Sequence, residues 1–148
     1  MTLNIRYGRV VDAPSAITVL RRSITELCAA DHGDDAWELA AWLRNKTEAA
    51  WARWIARHDA TVLVAEISGE IVGIGMLDGR GEVLLNYVRP DRRFRGVSTA
   101  VLAALEGVAR TRGAASCFLE STETARRFYQ CRGYTAATGA RLQLEKRL

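Results

Sequence analysis

The sequence predicts an α/β fold of the α+β kind: a mixed, mainly antiparallel sheet of about six to seven strands flanked by about four helices. Three observations carry that expectation. From Thr61, the β-rich runs TVLVAEI, IVGIGML and EVLLNYV follow one another with short Gly-containing connections, the pattern of an antiparallel meander. Apolar residues recur at helical spacing before the meander (Ile17, Leu20, Ile24, Leu27) and after it (Val97, Val101, Leu105, Val108). No linker, repeat or low-complexity run divides the 148 residues, so residues 1–148 read as a single domain.

In chain order, Ile5 and Val10–Val11 bracket a short first strand. Asp12 then reads as the N-cap of a helix whose first turn holds Pro14, where a missing N–H costs little. That helix fades near Asp31-His32-Gly33. Trp37, Ala40 and Leu43 form a short second stripe, and Thr47 caps a third helix carrying Ala50, Trp51, Trp54 and Ile55. All four tryptophans lie between residues 37 and 54, as packing anchors or as walls of a substrate pocket. After the meander, an arginine-rich turn leads into a helix over about residues 97–112 that stops at Arg112-Gly113. A buried strand over Ala115–Leu119 follows, then a helix over Ala125–Cys131 capped by Ser121–Thr124 and ended at Gly133. Strands over Tyr134–Thr138 and Leu142–Leu144, on either side of Gly139, complete the chain.

Composition is that of a soluble globular protein, 49% hydrophobic and 26% charged. No run approaches the ~18 apolar residues of a membrane span, and MTLNIRYGRV lacks the apolar core of a signal peptide, so the expected compartment is the cytoplasm. Cys28, Cys117 and Cys131 are odd in number and form no CxxC pair, which points to reduced thiols and no metal. The formal charge of +4 permits acidic partners. Around Arg89–Arg95, however, Phe94 alone is aromatic, too little for a nucleic-acid stacking platform, and no nucleic-acid partner is expected.

One stretch carries the chemistry. Leu84–Val88 reads as a strand. Arg89, Arg92, Arg93 and Arg95 then crowd a turn, and Gly96, Ser98 and Thr99 open the next helix. The free N–H groups and positive dipole end of such a helix suit an anion such as a phosphate.

Two motifs say which anion. Arg93-Phe94-Arg95-Gly96-Val97-Ser98 is similar to the turn (Gln/Arg)-x-x-Gly-x-(Gly/Ala). Ala125-Arg-Arg-Phe128-Tyr129-Gln-Cys-Arg-Gly133-Tyr134 is similar to Ala-x-x-Phe/Leu-Tyr-x-x-x-Gly-Phe/Tyr. With the element order, they make residues 5–145 resemble the GCN5-related N-acetyltransferase (GNAT) superfamily. The N-terminal half resembles a bacterial subgroup that begins near Arg21-Arg22-Ser23-Ile24. Two positions depart from the family pattern: Ser98 replaces a Gly or Ala, and Thr122 stands where many members place an Asn.

The resemblance implies the GNAT fold, acetyl-CoA as cosubstrate and no metal. It assigns the pyrophosphate to the amides of Phe94, Arg95, Gly96, Val97, Ser98 and Thr99, with Arg93 and Arg95 shaping the turn and supplying field, and the pantetheine arm to the neighbourhood of Thr122 and Ala125. Val88 would supply the N–H that polarises the thioester carbonyl, and Tyr129 the proton for the departing thiolate. Glu82, six residues before Val88, matches the position of the catalytic base in some members of the family, where many others keep no base and use ordered water. Glu120, Asp31 and His32 are further candidates for that role. The acceptor pocket would come from residues 20–55, where Asp31 and Trp37, with Trp42, Asp34 and Asp35, suit a cationic or aromatic amine. The arginines at 126, 127 and 132 read most simply as a solvated face. The implied activity is acetyl transfer from acetyl-CoA to a primary amine of a small molecule or peptide, by direct attack in a ternary complex. Dimers are common in the family, which leaves a homodimer and a monomer both open. A non-catalytic acyl-CoA-binding or sensing domain of the same fold is the alternative.

Overall fold

Seven strands, among the described residues 2–137 and 140–148, form two antiparallel sheets in the computed structural model. In chain order the elements are β1 (Leu3–Tyr7), a 3₁₀ turn (Val10–Asp12), α1 (Ala13–Leu27), α2 (Ala29–His32), α3 (Ala36–Leu43) and α4 (Glu48–Ala56). The meander follows as β2 (Ala60–Ile67), β3 (Glu70–Asp78) and β4 (Val83–Val88), then a 3₁₀ turn (Pro90–Arg92). The chain closes with α5 (Val97–Thr111), β5 (Ser116–Glu120), α6 (Arg126–Gln130), β6 (Thr135–Ala136) and β7 (Gln143–Arg147).

The first sheet has the order β1-β2-β3-β4 and the second β5-β7-β6. They touch through one parallel bridge, Glu82 with Phe118, closed by the Phe118 N–H donating to the Gly81 carbonyl at 3.1 Å. Past that bridge β4 and β5 share no ladder, so a wedge opens between them toward Val88 and Glu120.

The two faces of the larger sheet carry separate cores. Under α5, Val97, Val101 and Leu105 pack on Leu63, Ala65 and Leu77. The helix comes close because β3 bares its backbone there: a Cβ built on Gly73 or Gly75 would lie 2.6 Å from Val97 and 2.4 Å from Val101. On the other face, Ile17 and Leu20 of α1 and Trp51 of α4 pack on Val62, Val64, Ile74 and Met76.

Several elements differ from expectation. The first strand ends at Tyr7, and Val10–Asp12 form a turn. Asp12 precedes α1 without capping it; its carboxylate accepts two hydrogen bonds from Arg6 at 2.9 Å and one from the Arg9 N–H at 2.7 Å. Trp51 is an anchor, fully buried, its indole N–H donating to the Arg9 carbonyl at 2.9 Å. Thr47 caps α4 as expected, accepting from the Ala50 N–H at 3.1 Å. The final strand runs further than Leu144, and β6 is only Thr135–Ala136; Thr138 and Gly139 lie outside the described residues. No helix among the described residues is long and apolar enough to cross a membrane.

Candidate active site

The wedge becomes a site because of how β4 is paired. The Arg89 N–H donates to the Val72 carbonyl at 2.7 Å, and Val88 and Tyr87 lie opposite Gly73 and Ile74. Antiparallel ladders alternate, so Tyr87 is bonded to β3 while the amides of Asn86 and Val88 point away from it. They point toward β5, which has already diverged.

The turn after β4 forms one wall. Phe94 and Gly96 both have positive φ, +65° and +79°, which folds the chain back before α5 begins. Helix α5 has no side-chain cap. Its first bond is the Ala100 N–H to the Gly96 carbonyl, at 3.0 Å, leaving the amides of Val97, Ser98 and Thr99 without intrahelical partners. A Cβ on Gly96 would meet nothing within 4 Å, so the space before these amides is open. Phe94 is 89% exposed, with the Arg93 guanidinium 4.6 Å above its ring.

Helix α6 forms the facing wall. Its start is fastened twice. The Ala125 N–H donates to the Thr122 hydroxyl at 3.0 Å. The Asp31 carboxylate, from α2, accepts from the Glu123 N–H, from the Thr124 N–H at 3.2 Å and from the Thr124 hydroxyl at 2.7 Å. Tyr129 then reaches the cleft, its ring edge-on to Phe128 and Tyr134 at 5.1 and 5.6 Å. Burial pushes its hydroxyl up to about 12, against a smaller opposing pull from the Asn86 amide. At the mouth Arg132 lies 3.8 Å over the Phe128 ring and donates to the Thr99 hydroxyl at 2.7 and 3.0 Å. The arginines near α6 are therefore not all a solvated face: Arg132 clasps α6 to the start of α5, and Arg127 also lines the cleft.

The cleft between these walls measures about 570 Å³. It gathers Val88, Arg93, Phe94, Gly96, Val97, Ser98, Thr99, Thr122, Ala125 and Tyr129, all singled out from the sequence. Arg95 is exposed and does not line it.

The acid candidates fare differently. Glu82 sits at the closed end, on the β4–β5 bridge; its carboxylate pairs with Arg80 at 2.7 Å and its N–H with Asp78 at 3.0 Å. It does not line the cleft. Asp31 does not line it either, because its oxygens are taken by the 123–124 backbone. Trp37, on a helix with no buried residue, is 86% exposed and outside the cleft. His32 is buried, with Nε2 at 3.1 Å from the Ile24 carbonyl and Nδ1 accepting from the Asp34 N–H. Glu120 does line the cleft, at the open end.

Ser23, Leu27, Cys28, Asn86 and Tyr87 also line it and were not singled out as site residues. Asn86 had a signal, a lone amide inside the apolar run LLNYV. Cys28 had none: burial pushes its thiol up to about 11, so at neutral pH it is a protonated wall group. Burial likewise raises the Tyr87 hydroxyl, which the Trp42 side chain bonds. Among the described residues no group of three His, Cys, Asp or Glu side chains is placed to hold a metal ion.

A family model, the acetyltransferase (GNAT) domain, matches residues 28–145. The chain belongs to the GNAT acetyltransferase family. Solved GNAT structures superpose over nearly its whole length. The PaiA N-acetyltransferase of Thermoplasma acidophilum, in complex with coenzyme A, is 20% identical, with 100% of each chain covered and a TM-score of 0.88. A GCN5-related N-acetyltransferase from Rhodopseudomonas palustris is 28% identical, covering 100% of this chain and 97% of that one, with a TM-score of 0.88. A GNAT acetyltransferase from Brucella melitensis, in complex with acetyl-CoA, is 20% identical, covering 99% and 88%, with a TM-score of 0.65. A search of curated proteins gives no match. The GNAT motifs stand on the elements the sequence assigned them to: the turn between β4 and α5, and the Phe-Tyr pair on α6.

Proposed function

We propose that this GNAT acetyltransferase moves an acetyl group from acetyl-CoA to a primary amine of a small molecule or peptide, by direct attack in a ternary complex. The observation that carries this is the pairing of an uncapped helix start at Gly96–Thr99 with a buried tyrosine across the same cleft. The cosubstrate fits what the site leaves unsatisfied. The amides of Val97, Ser98 and Thr99 are free for a pyrophosphate, and the Arg92 Nε is buried without a partner. Further in, the Val88 amide is a donor aimed into the wedge, where developing charge on a thioester oxygen would lie.

Tyr129 keeps its proton at neutral pH. A free thiol has a pKa near 8.5, so full transfer from a hydroxyl near 12 runs uphill by about 5 kcal/mol. Its part is therefore to donate a hydrogen bond to the sulfur as the carbon–sulfur bond breaks, rather than to titrate. The second ammonium proton, released once the amine has attacked, ends on the thiolate. Ser98 adds one hydroxyl at the turn, and Thr122 holds the α6 start, so neither departure from the family pattern obstructs the cleft.

The test uses two substitutions. A Cβ at Gly96 meets nothing within 4 Å, while its φ of +79° strains a leucine there by about 1 to 2 kcal/mol; Gly96→Leu, shown to be folded by circular dichroism, should lose acetyl-CoA binding read by calorimetry. Tyr129→Phe should bind acetyl-CoA normally and lose about 10²- to 10³-fold in kcat, read by thiol release. Unchanged acetyl-CoA affinity in folded Gly96→Leu would overturn the assignment of the turn.

A further inference from the structure

The wedge passes through the sheet, and its two mouths differ in chemistry. Cys117 and Leu119 of β5 are buried in the core under α5, so by strand alternation Phe118 and Glu120 project from the opposite face. Tyr87 and Leu84 of β4 belong to the core on that opposite face, beneath α1. There α1 contributes Ser23 and Leu27 to the cleft, and its C-cap contributes Cys28. The α5 face of the cleft thus ends in the free helix amides of Val97, Ser98 and Thr99. The α1 face ends in an apolar chamber whose acid is Glu120, the one carboxylate among the cleft-lining residues. The neighbouring carboxylates are occupied: Glu82 by Arg80, Asp31 by the 123–124 loop and Glu123 by Arg141.

From this juxtaposition we propose that the acceptor enters from the α1 face as a primary ammonium on an apolar or aromatic stem, with Glu120 binding and orienting the ammonium. The inference rests on the acetyl-CoA reading of the turn. The stem lies against Leu27, Cys28, Leu84 and Tyr87. The ammonium gives one proton to solvent at the exposed Glu120 mouth. Its nitrogen then attacks the thioester carbon, the carbon–sulfur bond breaks, and the remaining surplus proton leaves on coenzyme A as the thiol. Amino acids are poor acceptors, because the α-carboxylate, one carbon from the nitrogen, would sit against Glu120. A linear diamine is poor too, since its second ammonium would lose water against Leu27, Leu84 and Tyr87, and Asp31, the carboxylate nearest that side, is spent on the 123–124 loop.

The experiment measures acetyl transfer to 2-phenylethylamine, 1,4-diaminobutane and phenylalanine by wild type, Glu120→Gln, Glu120→Asp and Glu82→Gln, with acetyl-CoA binding followed separately by calorimetry. Wild type should favour 2-phenylethylamine at least tenfold in kcat/KM over the other two. Glu120→Gln should raise the 2-phenylethylamine KM about 10- to 100-fold, the worth of one charge-assisted hydrogen bond, with the acetyl-CoA KM within twofold. Glu120→Asp should recover part of the loss, and Glu82→Gln should match wild type. A Glu120→Gln KM within threefold of wild type overturns the proposal. So does a wild type that binds acetyl-CoA yet does not acetylate 2-phenylethylamine. Failure of the wild type to bind acetyl-CoA at all instead overturns the reading of the turn, and this proposal with it.

Discussion

Asp31 lies outside the cleft, yet its removal should disturb the α6 wall. It reaches from α2 across 92 residues of sequence to accept from the Glu123 and Thr124 amides and the Thr124 hydroxyl. These donors would otherwise be free at the start of the α6 turn, so Asp31 caps in trans what Thr122 caps locally at Ala125. In Asp31→Ala all three bonds go. At roughly 1 kcal/mol each in this part-exposed setting, the loss is about 2 to 3 kcal/mol. For a chain of this length that lowers Tm by about 5 to 10 °C. Asp31→Asn keeps one acceptor oxygen and should lose about half as much. Because α6 carries Tyr129, kcat should also fall about 10- to 100-fold, even well below the new Tm. Thermal unfolding by circular dichroism and thiol-release kinetics at 20–25 °C (about 298 K) check the two parts. An Asp31→Ala protein that melts within 1 °C of wild type (roughly 0.3 kcal/mol) and turns over normally would refute the idea that this carboxylate holds the site together.

Two further outcomes probe the scaffold. The Arg6 guanidinium and the Arg9 amide hold Asp12 below the usual carboxylate range, against the opposing effect of burial. A depressed folded pKa contributes stability that is present above the unfolded value near 3.9 and lost as pH falls through the folded one. Asp12→Asn should therefore be about 2 kcal/mol less stable than wild type at pH 7 by urea unfolding, with the gap closing below about pH 4; a gap that is the same at pH 3 would contradict this. Gly75→Ala places a methyl 2.4 Å from Val101, so α5 must shift, at about 1 to 3 kcal/mol, and acetyl-CoA binding should weaken because α5 carries the turn. Adding Val101→Ala should restore part of both. Two losses that simply add would show that the contact does not couple them.

The order of elements and the two motifs were legible because their signals are local. The β-rich runs and Gly-containing turns of residues 61–88, the 3.6-residue stripe through Val97–Val108 and the Thr47 cap each depend on neighbours within a few positions, and each appears where the sequence put it. The same holds for the cradle: a glycine at Gly96 with positive φ, followed at once by a helix, needs no distant partner to leave its amides free. What a carboxylate does was not legible, because it depends on which groups claim its oxygens. Glu82 and Glu120 look alike as acids flanking strands. One lies on the bridge that joins the sheets and pairs with Arg80, and the other lies where the strands have parted. Asp31 and Trp37 sit in the segment expected to meet the acceptor, yet one is spent on a loop brought up by the fold and the other faces solvent. Sequence by itself determined the order of the main elements of this GNAT acetyltransferase and placed the turn before α5 and Tyr129 on α6. Tertiary structure decided that β4 and β5 touch once and diverge, and so which side chains can reach the wedge: divergence is a relation between strands far apart in the chain, and no local pattern encodes it.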